Sequence, residues 1–236
     1  MWIVEHIQNE AWIPLFAWAF WVIFSITLHE LGHGYAAIRQ GDRTPIEWQR
    51  MTLNPLVHMG VPSLIIFAFF GIAWGMMPVN PSRFRQRRLG EAKVALAGPA
   101  VNLGLALVCL VGTAVAIRAL GGETSFARNL EVFLLHGAYL NLVLMAFNLL
   151  PVPPLDGSRV LAASSRRFRL WFSHPNAQFG LFIILAIVFY ATPIGDYFFG
   201  ACIMGSLLAI EGLTLVMGAG PDAFEDFIER FVSSLG

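Results

Sequence analysis

Apolar residues occupy the chain in six long blocks separated by short polar stretches. The first runs from Ala11 to Leu28 without a charged side chain, a length that can cross the hydrocarbon of a bilayer. The others fall at roughly 61–78, 93–117, 131–150, 178–194 and 198–217. Their lengths predict an all-α multi-pass membrane protein with about five spanning helices plus one re-entrant or sixth segment. The ambiguous block is 61–78, where Pro62, Gly71, Gly75 and Pro78 make a poor straight span, while the two glycines four apart favour close packing on a neighbour. Residues 44–54, Thr-Pro-Ile-Glu-Trp-Gln-Arg-Met-Thr-Leu-Asn, partly alternate apolar and polar and include β-branched and aromatic residues. They predict a short β-hairpin beside the first helix. In the tail, Phe224, Phe227, Ile228, Phe231, Val232 and Leu235 recur at helical spacing, with Asp222, Glu225, Asp226 and Glu229 on the other face. The expected organisation is a membrane-embedded domain over 1–217 followed by an amphipathic helix over 218–236. Its acidic polar face does not suit anionic lipid, so docking on the protein's own cytoplasmic surface is expected.

Charge fixes an orientation. If 61–78 dips into the bilayer and returns, the loops 39–60, 79–93 and 152–176 share one face with the tail, and thirteen of the fifteen Lys and Arg residues lie there. Only Arg118 and Arg128 lie opposite. If 61–78 spans, the cluster Arg83, Arg85, Arg87 and Arg88 opposes Arg39, Arg43 and Arg50, and the bias is split. The dipping arrangement obeys the excess of positive charge on the cytoplasmic side. It places the protein in the cell membrane with its basic face in the cytoplasm.

Composition agrees: 57% of residues are hydrophobic and 13% charged, against about 25% charged in an average soluble domain. No basic cluster with interleaved aromatics suggests a nucleic-acid partner. Cys109 and Cys202 sit in apolar runs and read as packed or lipid-facing thiols. Glu5 and Glu10 precede the first block, but no Lys or Arg does, so the first helix is expected to be retained instead of cleaved as a signal peptide.

The first apolar block continues without a break into His29-Glu30-Leu31-Gly32-His33. Four residues of α-helix rotate by about 400° and rise about 6 Å. His29 and His33 therefore emerge on nearly one face, able to bind a single Zn²⁺, with Glu30 beside the metal as a general base. An acidic residue at the end of such a segment is costly to place in a membrane and points to function.

Catalytic zinc needs a third protein ligand. The available groups are His6, Asp42, Glu47, His58, Glu131, His136, Asp156, His174, Asp196 and Glu211. The charge-derived topology sets His6, Glu131, His136 and Asp196 on or near the wrong face and leaves Glu211 possible. Asp156 is favoured by its chain context. Pro151-Val152-Pro153-Pro154-Leu155-Asp156-Gly157 cannot continue a helix. It is expected to run extended back toward the histidines, with Gly157 allowing a sharp exit.

Taken together, His29-Glu30-Leu31-Gly32-His33, Ala97-Gly98-Pro99-Ala100-Val101-Asn102 and Asn148-Leu149-Leu150-Pro151-Val152-Pro153-Pro154-Leu155-Asp156-Gly157 resemble the site-2 protease family of intramembrane zinc metalloproteases. Asn54-Pro55-Leu56-Val57-His58 and Pro78-Val79-Asn80-Pro81 resemble a compact branch of it. The resemblance covers roughly residues 15–165. It implies one Zn²⁺ per chain held by His29, His33 and Asp156, with Glu30 as base. It implies hydrolysis of peptide bonds in or near transmembrane segments of single-pass substrate proteins. PDZ or CBS domains, frequent in such proteins, have no room here. An oxyanion donor or substrate-positioning group is expected from Asn102, Asn148 or His58, although either Asn can instead bridge helices. The alternative is a membrane zinc carrier or sensor using the same ligands without hydrolysis.

Overall fold

A computed structural model describes residues 12–171 and 175–234. His6, Glu5, Glu10 and His174, which entered the reading of the sequence, lie outside the described residues. Among the described residues, ten α-helices follow in chain order. They are α1 (Trp12–Arg39), α2 (Thr44–Glu47), α3 (Pro55–Phe70), α4 (Arg87–Leu120), α5 (Ser125–Asn148), α6 (Asp156–Ser164), α7 (Arg166–Trp171), α8 (Pro175–Ala191), α9 (Ile194–Val216) and α10 (Pro221–Ser234). Four of them, α1, α4, α5 and α9, are long and apolar enough to cross a membrane.

Three of these form the centre. On α1, Pro14, Ala17, Trp21, Ser25, His29, His33 and Ala37 are buried, a stripe advancing every three to four residues that carries the histidine pair along the packed face of the helix. On α4 the matching stripe is Val94, Gly98, Asn102, Ala106, Cys109, Thr113 and Ile117. Its small residues let helices approach closely, the main source of association where lipid removes the hydrophobic incentive to pack. α1, α4 and α5 meet at Gly137, where a β-carbon would lie 2.5 Å from the Trp21 ring and 2.6 Å from Cys109 Sγ. The Trp21 indole N–H donates to the Phe133 carbonyl at 2.8 Å, joining α1 to α5. Gly32 does the same for α1 and α4 at the level of the site, its Cβ direction meeting Val101 at 2.8 Å and the Ala97 carbonyl at 2.9 Å.

Block 61–78 does not run straight. α3 kinks at Gly60 (φ 70°) and is capped by Gly71 in the left-handed region (φ 73°), conformations that favour glycine. The chain then returns without helix alongside α3. Ser63 Oγ donates to the Trp74 carbonyl at 2.8 Å and accepts from the Trp74 N–H at 2.9 Å, and the Met76 N–H donates to the His58 carbonyl at 3.0 Å. At the end of the return the Asn80 N–H meets Asp42, just past the end of α1, at 2.6 Å.

Three expectations need correction. There is no β-hairpin: no strand occurs among the described residues, and 44–54 is a helical turn followed by irregular backbone. Asp42 Oδ1 accepts from both the N–H and the hydroxyl of Thr44, and Pro45 occupies the first turn of α2. The Asp42 side chain turns the backbone ahead of the helix and the proline suits its first turn, and together they override the alternating pattern. Among the described residues, four helices and not about five are long and apolar enough to span. α8 has 17 residues, about 26 Å of helix against a hydrocarbon core of about 30 Å. Its C-terminal end meets the C-terminal end of α5, with the Phe189 ring 5.5 Å from Phe147 and 5.4 Å from Phe198 of α9. The elements after α8 lie on the side opposite to that expected. α9 runs from the Phe147 end of the bundle to the opposite end, where Arg230 of α10 pairs with Glu131 at 3.1 Å and lies against Gly122. The tail helix therefore docks with Arg118 and Arg128, away from the basic loops. Phe227 and Phe231 are its buried anchors.

Candidate metal centre

The last three turns of α1 carry His29, Glu30 and His33, all buried. Each imidazole is oriented by a second contact through Nδ1. His33 Nδ1 lies 2.7 Å from the Val94 carbonyl and His29 Nδ1 lies 2.5 Å from Asn102 Oδ1. A carbonyl oxygen only accepts, so His33 donates from Nδ1 and keeps a lone pair on Nε2 in its neutral form. Both Nε2 atoms face one point, 3.0 Å apart.

The third group at that point is Asp156. After α5 the chain makes tight turns instead of the extended run expected: the Leu150 N–H bonds to the Phe147 carbonyl, Leu155 to Val152 and Ser158 to Leu155. α6 thus begins against the end of α5. Gly157 serves close approach here, since a β-carbon would fall 2.1 Å from the Leu149 carbonyl oxygen. Asp156 Oδ2 is 3.1 Å from Nε2 of both His29 and His33. Its place in the first turn of α6 favours a negative group.

The three donor atoms make a nearly equilateral triangle with edges of 3.0–3.1 Å. Tetrahedral zinc with bonds of about 2.0–2.1 Å separates its ligand atoms by about 3.3 Å, so the spacing fits one such ion closely. The donor chemistry fits as well: two nitrogen lone pairs and a carboxylate oxygen, converging in a buried site, repel one another unless a cation or proton lies between them. Gly98 leaves the space beside them open, because a β-carbon there would stand 2.5 Å from Nε2 of each histidine. Among the described residues this is the one group of three or more His, Cys, Asp or Glu residues whose donor atoms can share a metal.

Glu30 is buried next to the pair and covered by the returning segment, with Gly75 packed directly on its side chain. Of the other groups singled out in the sequence, Asn102 touches a ligand and most of the rest have partners of their own. His58 is buried and donates from Nε2 to the Thr52 carbonyl at 2.6 Å. Asn148 donates to the Leu144 carbonyl of its own helix at 2.9 Å. Asn102 is bound up with His29 on one side and, through its NH₂ group, with Asn141 Oδ1 at 2.9 Å on the other. Asp42 is fully buried and engaged by Thr44 and Asn80. Glu131 and His136 belong to the opposite end, and Glu211 and Asp196 are not part of the group. Sequence reasoning missed Asn141 and the Val94 carbonyl, and it marked Gly75 for close packing without identifying Glu30 as its neighbour. The signal available for the first was an amide in an apolar helix.

The model of peptidase family M50 matches residues 110–191, a span that contains the Asp156 turn. Among curated proteins, the chain is 37% identical over 182 residues to "Putative zinc metalloprotease YwhC" of Bacillus subtilis, covering 75% of this chain and 80% of that protein. It is 32% identical over 204 residues to "Putative zinc metalloprotease Rip2" of Mycobacterium tuberculosis, covering 83% and 75%. It is 29% identical over 154 residues to "Zinc metalloprotease MJ0392" of Methanocaldococcus jannaschii, covering 64% and 34%. No solved structure gives a significant match.

Proposed function

The chain belongs to peptidase family M50, the site-2 protease family of metalloproteases, and on that premise we propose that it hydrolyses peptide bonds within the membrane, in or near transmembrane segments of single-pass proteins. The observation that carries this reading is the convergence of His29, His33 and Asp156 on one point beside Glu30, at the end of a helix apolar enough to span. His29 and His33 through Nε2, and Asp156 through Oδ2, would hold one zinc ion. Bound there, zinc would supply Lewis-acid activation of water and of the scissile carbonyl.

The protein's own groups do the rest. Glu30 accepts the proton of the attacking water and returns it to the leaving amine. Its burial against Gly75 keeps it in place between those events. An N–H donor to the developing oxyanion must come from a group with a free hydrogen. Asn102 spends one of its two amide hydrogens on Asn141, and His58 spends Nε2–H on Thr52. Asn148 likewise spends one of its two amide hydrogens, so Asn102 and Asn148 both remain candidate donors. For orientation, twelve of the fifteen basic residues lie at the end of the bundle that holds the site, and Arg118, Arg128 and Arg230 lie at the other. That bias supports a cell-membrane protein whose site opens toward the cytoplasm.

Purified protein in detergent, offered a set of single-pass substrates with and without a chelator, tests the reading. Cleavage that stops with chelator and returns with zinc is expected. Full zinc binding with no cleavage of any substrate would favour a carrier or sensor instead.

A further inference from the structure

From His29 a chain of hydrogen bonds crosses three helices. His29 Nδ1 meets Asn102 Oδ1 at 2.5 Å, Asn102 Nδ2 donates to Asn141 Oδ1 at 2.9 Å, and Asn141 Nδ2 donates to the Gly137 carbonyl at 2.9 Å. Both asparagines are fully buried. The direction of the chain is dictated from its far end. A backbone carbonyl accepts and never donates, so Asn141 must turn its NH₂ toward Gly137 and its oxygen toward Asn102. Asn102 must then turn its NH₂ toward Asn141 and its oxygen toward His29. His29 can satisfy that oxygen only with a hydrogen on Nδ1, which leaves the lone pair on Nε2, the atom facing His33 and Asp156.

We infer that Asn141 is a positioning residue which, acting through Asn102, locks His29 into the tautomer able to ligate metal. This rests on the metal site proposed above. A bridge that only held α4 and α5 together would be indifferent to direction, since two amides can pair either way round. Here reversal would put the Asn141 oxygen against the Gly137 carbonyl oxygen in a buried, water-poor place, where two facing acceptors are costly. His33 needs no such relay because a backbone carbonyl fixes its ring directly. Groups that orient metal-bound histidines typically change metal affinity by about 10–100-fold when removed.

The test uses the full-length protein in detergent micelles. In metal-free protein labelled with ¹⁵N-histidine, the ring nitrogen shifts of His29 should report the Nδ1–H form. In Asn141→Leu they should report a mixture of tautomers, and zinc affinity by chelator competition should fall about 10–100-fold. Asn102→Asp supplies an acceptor that needs no partner to set its direction, so Asn102→Asp/Asn141→Leu should regain the Nδ1–H form and most of the affinity. A packing defect at position 141 would not be repaired by a change at 102. Wild-type tautomer and affinity in Asn141→Leu, or no recovery in the double variant, would overturn the inference. Wild-type protein that binds no zinc would instead overturn the proposed function, while the metal-free spectra still decide the role of Asn141.

Discussion

Gly75 packs directly on Glu30: a β-carbon at position 75 would sit 2.7 Å from Glu30 Cγ and Oε1, so any larger residue there must move the Glu30 side chain. The proposed base is thus held by a stretch of backbone that enters from α3, runs past α1 and ends on Asp42. Gly75→Ala should displace Glu30 without touching a metal ligand. A misplacement of about 1 Å can lower turnover by about 100-fold. Proteolysis is expected to drop by that order while zinc content stays at the wild-type level, checked by a substrate assay beside metal analysis. Activity within a few-fold of wild type would show that Glu30 is not held from this side.

Gly98→Ala should act on the metal instead. Its methyl group would stand 2.5 Å from both Nε2 atoms, on backbone of a well-packed helix that cannot easily withdraw. Zinc content should fall sharply, and proteolysis with it, without loss of helical circular dichroism. Unchanged zinc binding would mean that α4 shifts freely relative to α1.

Asp42 predicts a dependence of stability on acid. Burial alone would raise its pKa, but the Asn80 N–H, the Thr44 hydroxyl and N–H, and the Arg83 charge together hold it below the usual carboxylate value. A carboxylate depressed by folding stabilises fully above its unfolded pKa of about 3.9 and loses that contribution as pH falls through the lower folded value. Asp42→Asn should therefore be less stable than wild type at pH 7, by about 1.5–3 kcal/mol for the weakened charge-assisted bonds. The difference should shrink as pH drops below about 4. Thermal unfolding of both proteins in detergent between those limits checks this; a gap that grows toward acid would contradict it.

The docking of α10 rests on Arg230 and Glu131. The Glu131 side chain is 1% exposed and that of Arg230 23%. Arg230→Leu leaves a carboxylate buried without a partner, a loss of about 3–5 kcal/mol for a fully buried pair, here toward the lower end because Arg230 is partly solvated. Arg230→Leu combined with Glu131→Gln removes the isolated charge and should recover most of the loss in unfolding midpoint. No recovery would place the cost elsewhere in the tail.

The parts of this structure governed by local periodicity could be read from sequence. The helical repeat alone puts His29 and His33 on one face. Pro151, Pro153 and Pro154 end α5 where they stand, although the turns that follow are tighter than an extended run. Elements decided by a partner could not be read. Residues 44–54 alternate like a strand, yet Asp42 and Pro45 commit them to a helical turn. Block 178–194 is as apolar as a span but a turn too short, and that one misjudged crossing also misplaced the tail. Asn141 carries no local sign of its partners, which come from residues 4 and 39 positions away.

The account depends most on the proposed metal site. Zinc per chain, measured by metal analysis on purified wild-type, Glu30→Gln and Asp156→Ala proteins, tests it directly. About one zinc per chain is expected in the first two, since three donors hold the ion and Glu30 does not, and a marked loss in Asp156→Ala. Full zinc in Asp156→Ala, or none in the wild type, would contradict it.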